Sequence, residues 1–239
     1  MQKMTLMQHF AELRRRVLWT FAVFGLATIA GWYVAPWFQM VLTAPLLHIW
    51  PDGVLLYNGV SDGLMIRFSL ALLLGLVCVI PFALYQIWAF VAPGLRTRER
   101  AFIWPILIMS PILFVCGAAF AFYVMFPFVF GFFMELNASA PVPAVVMPAA
   151  RNYLDFTIGM LKVFGTAFQL PLVLVMLNRI GVLPRSRVVK MRRYAIVLSV
   201  VVAAILTPPD IVSQIALAIP MWALFEASIL FMRKDDVKN

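Results

Sequence analysis

Sixteen of the 19 Lys and Arg residues fall in alternate gaps between six long apolar segments. The N-terminal stretch holds Lys3, Arg14, Arg15 and Arg16, and the second connection holds Arg96, Arg98 and Arg100. The fourth connection holds Arg179, Arg185, Arg187, Lys190, Arg192 and Arg193, and the C-terminal stretch holds Arg233, Lys234 and Lys238. The odd-numbered connections hold only Arg67 and Arg151, and Lys162 lies inside a segment. Cytoplasmic loops of membrane proteins carry an excess of Lys and Arg, so the alternation predicts six spans with both termini in the cytoplasm. The formal charge of +9 then reports topology and gives no support for nucleic acid as a partner.

Composition points the same way. Apolar residues make up 64% of the chain and charged residues 12%, against roughly 25% charged in soluble domains. A soluble fold of this length cannot hide so much apolar surface. The expected class is an all-α membrane protein, one transmembrane domain over residues 1–239. The apolar run after Arg16 continues without a small-residue cleavage site, which reads as a retained first span and not a signal peptide. Cys78 and Cys116 both fall within apolar segments, where inert packing is expected. Two His and two Cys, scattered along the chain, give no metal-ligand spacing. No metal cofactor is expected.

The predicted spans are about 17–37, 68–92, 102–133, 153–177, 194–209 and 211–231. Residues 1–16 precede them as a cytoplasmic, amphipathic helix. The third span would reach about 48 Å at 1.5 Å per residue, beyond a hydrocarbon core of roughly 30 Å. It should tilt, protrude, or bend at Pro111 or Pro127. The fifth reaches only about 24 Å and is short for the same core. Pro220 shortens the straight part of the sixth. Prolines inside spans leave backbone carbonyls that neighbouring helices or water must meet. The outer loops are expected over 39–67 and 134–152.

Several polar groups stand out against this background. In His9-Phe10-Ala11-Glu12-Leu13-Arg14-Arg15-Arg16, the apolar residues at helical spacing suit an interfacial helix on anionic lipid. Glu12 then either pairs with Arg15 or Arg16 one turn on, or keeps a free face for a cationic ligand. Glu99 stands among three arginines, either as a local ion pair or as a second acceptor. Gln169 lies near the middle of its span beside Pro171, with Lys162 on the same face. Each either bonds a neighbouring helix or faces a cavity. Glu226 either snorkels to the interface or pairs within the bundle. Asp210 follows Thr207-Pro208-Pro209 and is placed to cap the sixth span. Gln214 in its first turn has no such local explanation. The string Gly59-Val60-Ser61-Asp62-Gly63, with His48 nearby, matches a nucleophile elbow, but that motif requires a strand-turn-helix that the flanks do not offer.

These stretches together resemble the TatC family, the polytopic subunit of the twin-arginine translocase. The resemblance covers nearly the whole chain. It rests on His9 to Arg16, Thr43-Ala44-Pro45-Leu46, and Tyr85-Gln86-Ile87-Trp88-Ala89-Phe90-Val91-Ala92-Pro93-Gly94-Leu95. It continues through Glu99-Arg100, Phe126-Pro127, Ala167-Phe168-Gln169-Leu170-Pro171, Leu206-Thr207-Pro208-Pro209-Asp210, Gln214 and Ala218-Ile219-Pro220-Met221. It implies a concave six-helix bundle in the bacterial cytoplasmic membrane. It also implies a receptor for the paired arginines of signal peptides on folded cargo, working with TatA- and TatB-type single-span subunits and the proton motive force. Self-association in a larger complex and contact with membrane lipids are expected.

The family's signal-binding positions correspond to Glu12, Arg14, Phe90 and Glu99. Pro45, Gln169, Asp210 and Gln214 match other functional positions. The intramembrane acid common in the family is Gln169 here, which argues against a need for an ionised carboxylate at that depth. A carboxylate accepts the planar fork of Arg bidentately, whereas Lys is a point charge. The alternative reading is a small-solute or ion transporter built on Lys162, Gln169 and Glu226. It would be favoured by inverted repeats, and none is evident.

Overall fold

The structure is a computed structural model and describes residues 6–49, 54–91, 103–139, 148–179, 181–206 and 211–233. Among these residues there is no strand. The helices are α1 Leu6–Ile49, α2 Asp62–Val91, α3 Ile103–Phe120, α4 Phe126–Ala138, α5 Ala150–Ala167, α6 Gln169–Arg179, α7 Arg185–Lys190, α8 Arg192–Leu206 and α9 Ile211–Phe231. An apolar solvent leaves the backbone no partner but itself, which is why such segments become helices.

The 44 residues of α1 form one helix, about 66 Å long at the usual rise. Two expectations about the helix change: the amphipathic stretch is not a helix separate from the first apolar one, and that helix does not end at Trp37. Nothing in 9–17 breaks a helix, and a Glu12–Arg16 pair one turn apart supports it. Pro36 should end or kink the helix, because it leaves the carbonyl of Trp32 without its donor. Arg67 of α2 supplies the donor instead, its Nε 3.1 Å from that carbonyl and its guanidinium 4.8 Å from the Trp32 ring centre. Beyond Trp37 the helix continues as Leu42 and Leu46 become buried. The first outer loop therefore shrinks to the residues between Ile49 and Asp62.

The α2 helix opens on a turn. Asp62 N–H donates to the Gly59 carbonyl at 3.1 Å, and Gly59 N–H donates to Asp62 Oδ2 at 2.8 Å. The string that mimicked a nucleophile elbow is thus a helix start. A parallel bridge pairs Leu56 with Ala149. Further along, α1 and α2 cross closely: a Cβ on Gly75 would stand 2.3 Å from Thr28 Oγ1.

The third apolar segment is interrupted by a π-helical turn over Ala121–Met125, just before Pro127. A wider turn is one way to absorb the hydrogen bond that proline cannot donate. The fourth segment breaks at Phe168, whose N–H turns back to the Phe164 and Thr166 carbonyls. Pro171 explains the break, since it leaves the Ala167 carbonyl unpaired. α3 and α5 also cross closely: a Cβ on Gly117 would lie 2.5 Å from the Phe164 carbonyl oxygen.

Among the described residues, five helical stretches are long and apolar enough to cross a membrane: Phe10–His48, Asp62–Ile87, Leu107–Ala138, Ala150–Arg179 and Ile211–Phe231. α8 has 15 residues, about 22 Å, and falls short of the roughly 30 Å core. Helix α9 has the bounds expected for the last span. The main core joins α1, α2, α4, α5 and α9 around Phe126, Leu154, Ile158, Phe164 and Leu217. A smaller core of Val188, Phe225, Ile229 and Met232 holds α7 to the end of α9. Cys78 and Cys116 are exposed on their helices and not packed inside as expected.

Candidate functional site: a polar cleft between α1 and α2

The first turns of α1 lie against the last turns of α2. Arg16 makes the join, with its three nitrogens all engaged. Nε donates to Glu12 Oε1 at 3.0 Å, one terminal nitrogen donates to the same oxygen, and the other donates to Gln86 Oε1 at 3.0 Å. The Arg16 and Glu12 side chains are only 22% and 24% exposed. The pair is therefore partly shielded, and a charge-assisted bond there is worth more than one in open water.

Two cavities flank this join. One of about 390 Å³ is lined by Glu12, Arg15, Arg16, Trp19, Phe82, Tyr85 and Gln86. The other, about 350 Å³, is mostly apolar and lined by Leu13, Val17, Phe21, Ala83, Ile87 and Phe90, with Arg16 and Gln86 again at its edge. Arg16 and Gln86 form the wall between a polar, aromatic-sided pocket and an apolar one. Such an arrangement can take a cationic group on the Glu12 side and an apolar side chain on the Phe90 side.

The sequence-expected residues distribute as follows. Glu12 and Phe90 border the two cavities on either side of Arg16. Arg14 does not join them: two residues from Glu12 is about 200° around a helix. It lines a separate open groove of about 520 Å³ with Arg15, Leu18 and Trp19. Glu99 and Asp210 lie outside the described residues. Pro45 sits in the last turns of α1, about 50 Å along that helix from Glu12. Gln169 makes a reciprocal pair with Ser110 of α3. Ser110 Oγ donates to Gln169 Oε1, and Gln169 Nε2 donates to the Ser110 carbonyl, both at 2.8 Å. Gln214 reaches from α9 to the Val200 carbonyl of α8 at 3.4 Å. Glu226 accepts from Arg192 at 2.8 Å. Two of the three residues weighed for a midplane solute path thus have other occupations: Gln169 holds α3 to α6, and Glu226 holds α9 to α8.

Arg16 was legible in the sequence only as one of two neutralisers of Glu12, and Gln86, Trp19 and Tyr85 were not singled out. The available signal was a lone amide, Gln86, one helical turn before Phe90 in an otherwise apolar segment. A partly buried amide in that setting calls for a partner.

Comparison with known proteins identifies relatives of the whole chain. The sequence model of the Sec-independent protein translocase protein (TatC) family matches residues 8–220. The Sec-independent protein translocase protein TatC of Azotobacter chroococcum mcd 1 is 37% identical over 231 residues, covering 96% of this chain and 89% of its own. That of Escherichia coli strain K12 is 35% identical over 229 residues, covering 95% and 88%. A crystal structure of a twin-arginine translocase receptor, TatC, superposes with a TM-score of 0.84 at 31% identity, covering 93% of this chain and 97% of that one.

Proposed function

The chain belongs to the TatC family, and from that membership and the cleft geometry we propose that it receives the paired arginines of export signals between α1 and α2. It is a core subunit of the Sec-independent, twin-arginine translocase and a transport protein, not a catalyst. The observation that carries the receptor reading is the partly shielded Glu12 carboxylate at the edge of a cavity with aromatic walls. A carboxylate there accepts a guanidinium in a bidentate fork. Phe90 and its apolar neighbours take the side chains that follow the arginines. Arg14 acts from the adjacent groove, and Glu99 supplies the second acceptor.

The same reading gives six spans, with α8 as a short fifth crossing and both termini cytoplasmic. The alternating Lys and Arg support this. A short crossing thins the bilayer beside it, and the apolar part of the signal lies along that concave face. The chain sits in the bacterial cytoplasmic membrane and assembles with TatA- and TatB-type single-span subunits. The support for such partners is apolar surface left open: Leu18, Phe21, Leu26 and Ile29 of α1 and Val197, Leu198, Val201 and Ile205 of α8 are exposed. Pro45, Gln169, Asp210 and Gln214 serve by shaping this bundle, with Gln169 acting as a neutral link between helices.

Binding of a paired-arginine signal peptide and its paired-lysine variant to the protein in nanodiscs tests the reading. Wild type should prefer the arginine form. Glu12→Gln should weaken arginine binding roughly tenfold, the equivalent of losing one charge-assisted bond of about 1.4 kcal/mol. Equal binding of both peptides, or an unaffected Glu12→Gln variant, would remove Glu12 from recognition.

A further inference from the structure

We propose that Trp19 is the arginine-selecting surface of the cleft: a signal arginine lays the flat face of its guanidinium on the indole while its edge donates to Glu12. The proposal rests on the receptor reading of Glu12 and adds a specificity-determining residue to it.

Glu12 alone separates the two cations weakly. Arg16 places two donors on Oε1, and among the described residues Oε2 accepts no hydrogen bond. One oxygen is therefore left for an arriving cation. A guanidinium can set two donors on it, as Arg16 does on Oε1. An ammonium carries three donors and reaches a single oxygen as well. The positive charges of Arg15 and Arg16 border the same cavity and repel arginine and lysine alike. Neither the bond to Oε2 nor that repulsion makes much difference between the two.

The aromatic wall does. Trp19 lies two turns beyond Glu12 on the same face of α1. It borders the same cavity, with Phe82 and Tyr85 of α2 on the other side. Helical side chains lean back toward the N-terminus, which carries the indole toward Glu12. Trp19 is 55% exposed. Elsewhere in the chain aromatic rings hold guanidinium faces: Arg67 lies 4.8 Å from the Trp32 ring centre, and Arg193 lies 4.8 Å from that of Tyr194. Among the described residues none covers the Trp19 ring in this way, although Arg15 is one turn before it.

That open ring distinguishes the cations by shape and hydration. A guanidinium is planar and weakly hydrated, so it stacks on an indole with its in-plane donors still free for Oε2. An ammonium is a compact, strongly hydrated point charge with no separate face and edge, and it gives up water to meet the ring. Trp19 therefore stabilises bound arginine more than bound lysine. An exposed tryptophan near a membrane surface also serves as an interfacial anchor, and a Trp19 with that role alone would treat both peptides equally.

The experiment measures binding of paired-arginine and paired-lysine signal peptides to the full-length protein in nanodiscs. It compares wild type, Trp19→Leu, Glu12→Gln and proteins with one, two or three fluorines on the Trp19 ring, with an unfolding midpoint for each. Trp19→Leu should weaken the arginine peptide about fivefold, the scale of one cation–π contact, and the lysine peptide less than about twofold. The arginine-to-lysine affinity ratio then falls by about threefold. Each fluorine withdraws electron density from the ring face with little change of shape, so the ratio should fall in graded steps even if Trp19→Leu folds poorly. Equal losses for both peptides in Trp19→Leu, with no graded response to fluorine, would make Trp19 a packing or anchoring residue and overturn the proposal. The Glu12→Gln arm separates the two ideas. If wild type lacks an arginine preference, or Glu12→Gln binds like wild type, the receptor reading fails and the aromatic surface falls with it. If Glu12→Gln loses binding while Trp19→Leu and the fluorinated proteins keep the wild-type ratio, the receptor reading stands and the role of Trp19 is wrong.

Discussion

The two ends of α1 are held in opposite ways. Near its C-terminus, Leu42 and Leu46 are 1% and 5% exposed, and the Leu42 carbonyl accepts the Tyr153 hydroxyl at 2.7 Å. Close to that contact the Leu56–Ala149 bridge joins two connections. Buried Asp62 lies 3.5 Å from Arg151, which also approaches Asp155 at 3.6 Å. At the N-terminal end, Phe10, Leu18, Trp19 and Phe21 are exposed, and a single arginine reaches across to α2 through a neutral amide. One end spends its polar groups on fixed links within the fold. The other leaves cavities beside a partly shielded ion pair. A binding cleft needs both, because it keeps its geometry only if its helices are fixed elsewhere.

The largest predicted effect breaks both ends together. Gly117→Val places atoms into the Phe164 backbone where α3 and α5 cross. Overpacking of this kind costs about 1–3 kcal/mol, and backbone cannot move aside as a side chain does, so the upper part of that range applies. The unfolding midpoint in detergent should drop sharply and peptide binding should be lost with it. A variant of wild-type stability would show that the crossing is looser than described.

Tyr153→Phe should separate the ends. It removes one buried hydrogen bond, about 1 kcal/mol, from the fixed end alone. The unfolding midpoint should fall while peptide affinity at the α1–α2 cleft stays the same. A fall in affinity of similar size would mean that the two ends are coupled through α1.

A smaller effect is expected at the α3–α6 link. A double-mutant cycle of Ser110→Ala and Gln169→Leu should give a coupling of about 0.6 kcal/mol, the usual size for interhelical hydrogen bonds in membranes. A coupling near zero would remove Gln169 from the fixed part of the fold. The smallest effect belongs to Arg192→Ala. Its partner is Glu226, but Arg192 is 50% exposed, and such pairs contribute about 0–1 kcal/mol. Its midpoint should lie within error of wild type.

Sequence patterns were most reliable where punctuation was strong. The bounds of α9 were legible because Thr207-Pro208-Pro209-Asp210 precedes it and Arg233 follows it. The irregularity in the third segment was legible from Pro127, although its form, a π turn ahead of the proline, was not. α1 was misread at both ends for one reason. Hydropathy marks where a helix meets lipid, not where it stops, and a tertiary contact from Arg67 removes the penalty of Pro36. In the cleft, Glu12 and its neutralisation by Arg16 were legible from i,i+4 spacing. The role of Gln86 was not, because it depends on how two helices distant in sequence are brought together. Arg14 was placed with Glu12 by resemblance, yet helical periodicity alone puts the two on different faces.

The most direct measurement is photo-crosslinking of a paired-arginine signal peptide to the protein in membranes. One probe at Tyr85 sits in the polar cavity, and another at Phe133 sits in the apolar cavity beside Tyr153 at the opposite end. The account predicts strong crosslinks at Tyr85 that are lost with the paired-lysine peptide, and none at Phe133 that depend on the arginines. Arginine-dependent crosslinks at Phe133 with none at Tyr85 would contradict it.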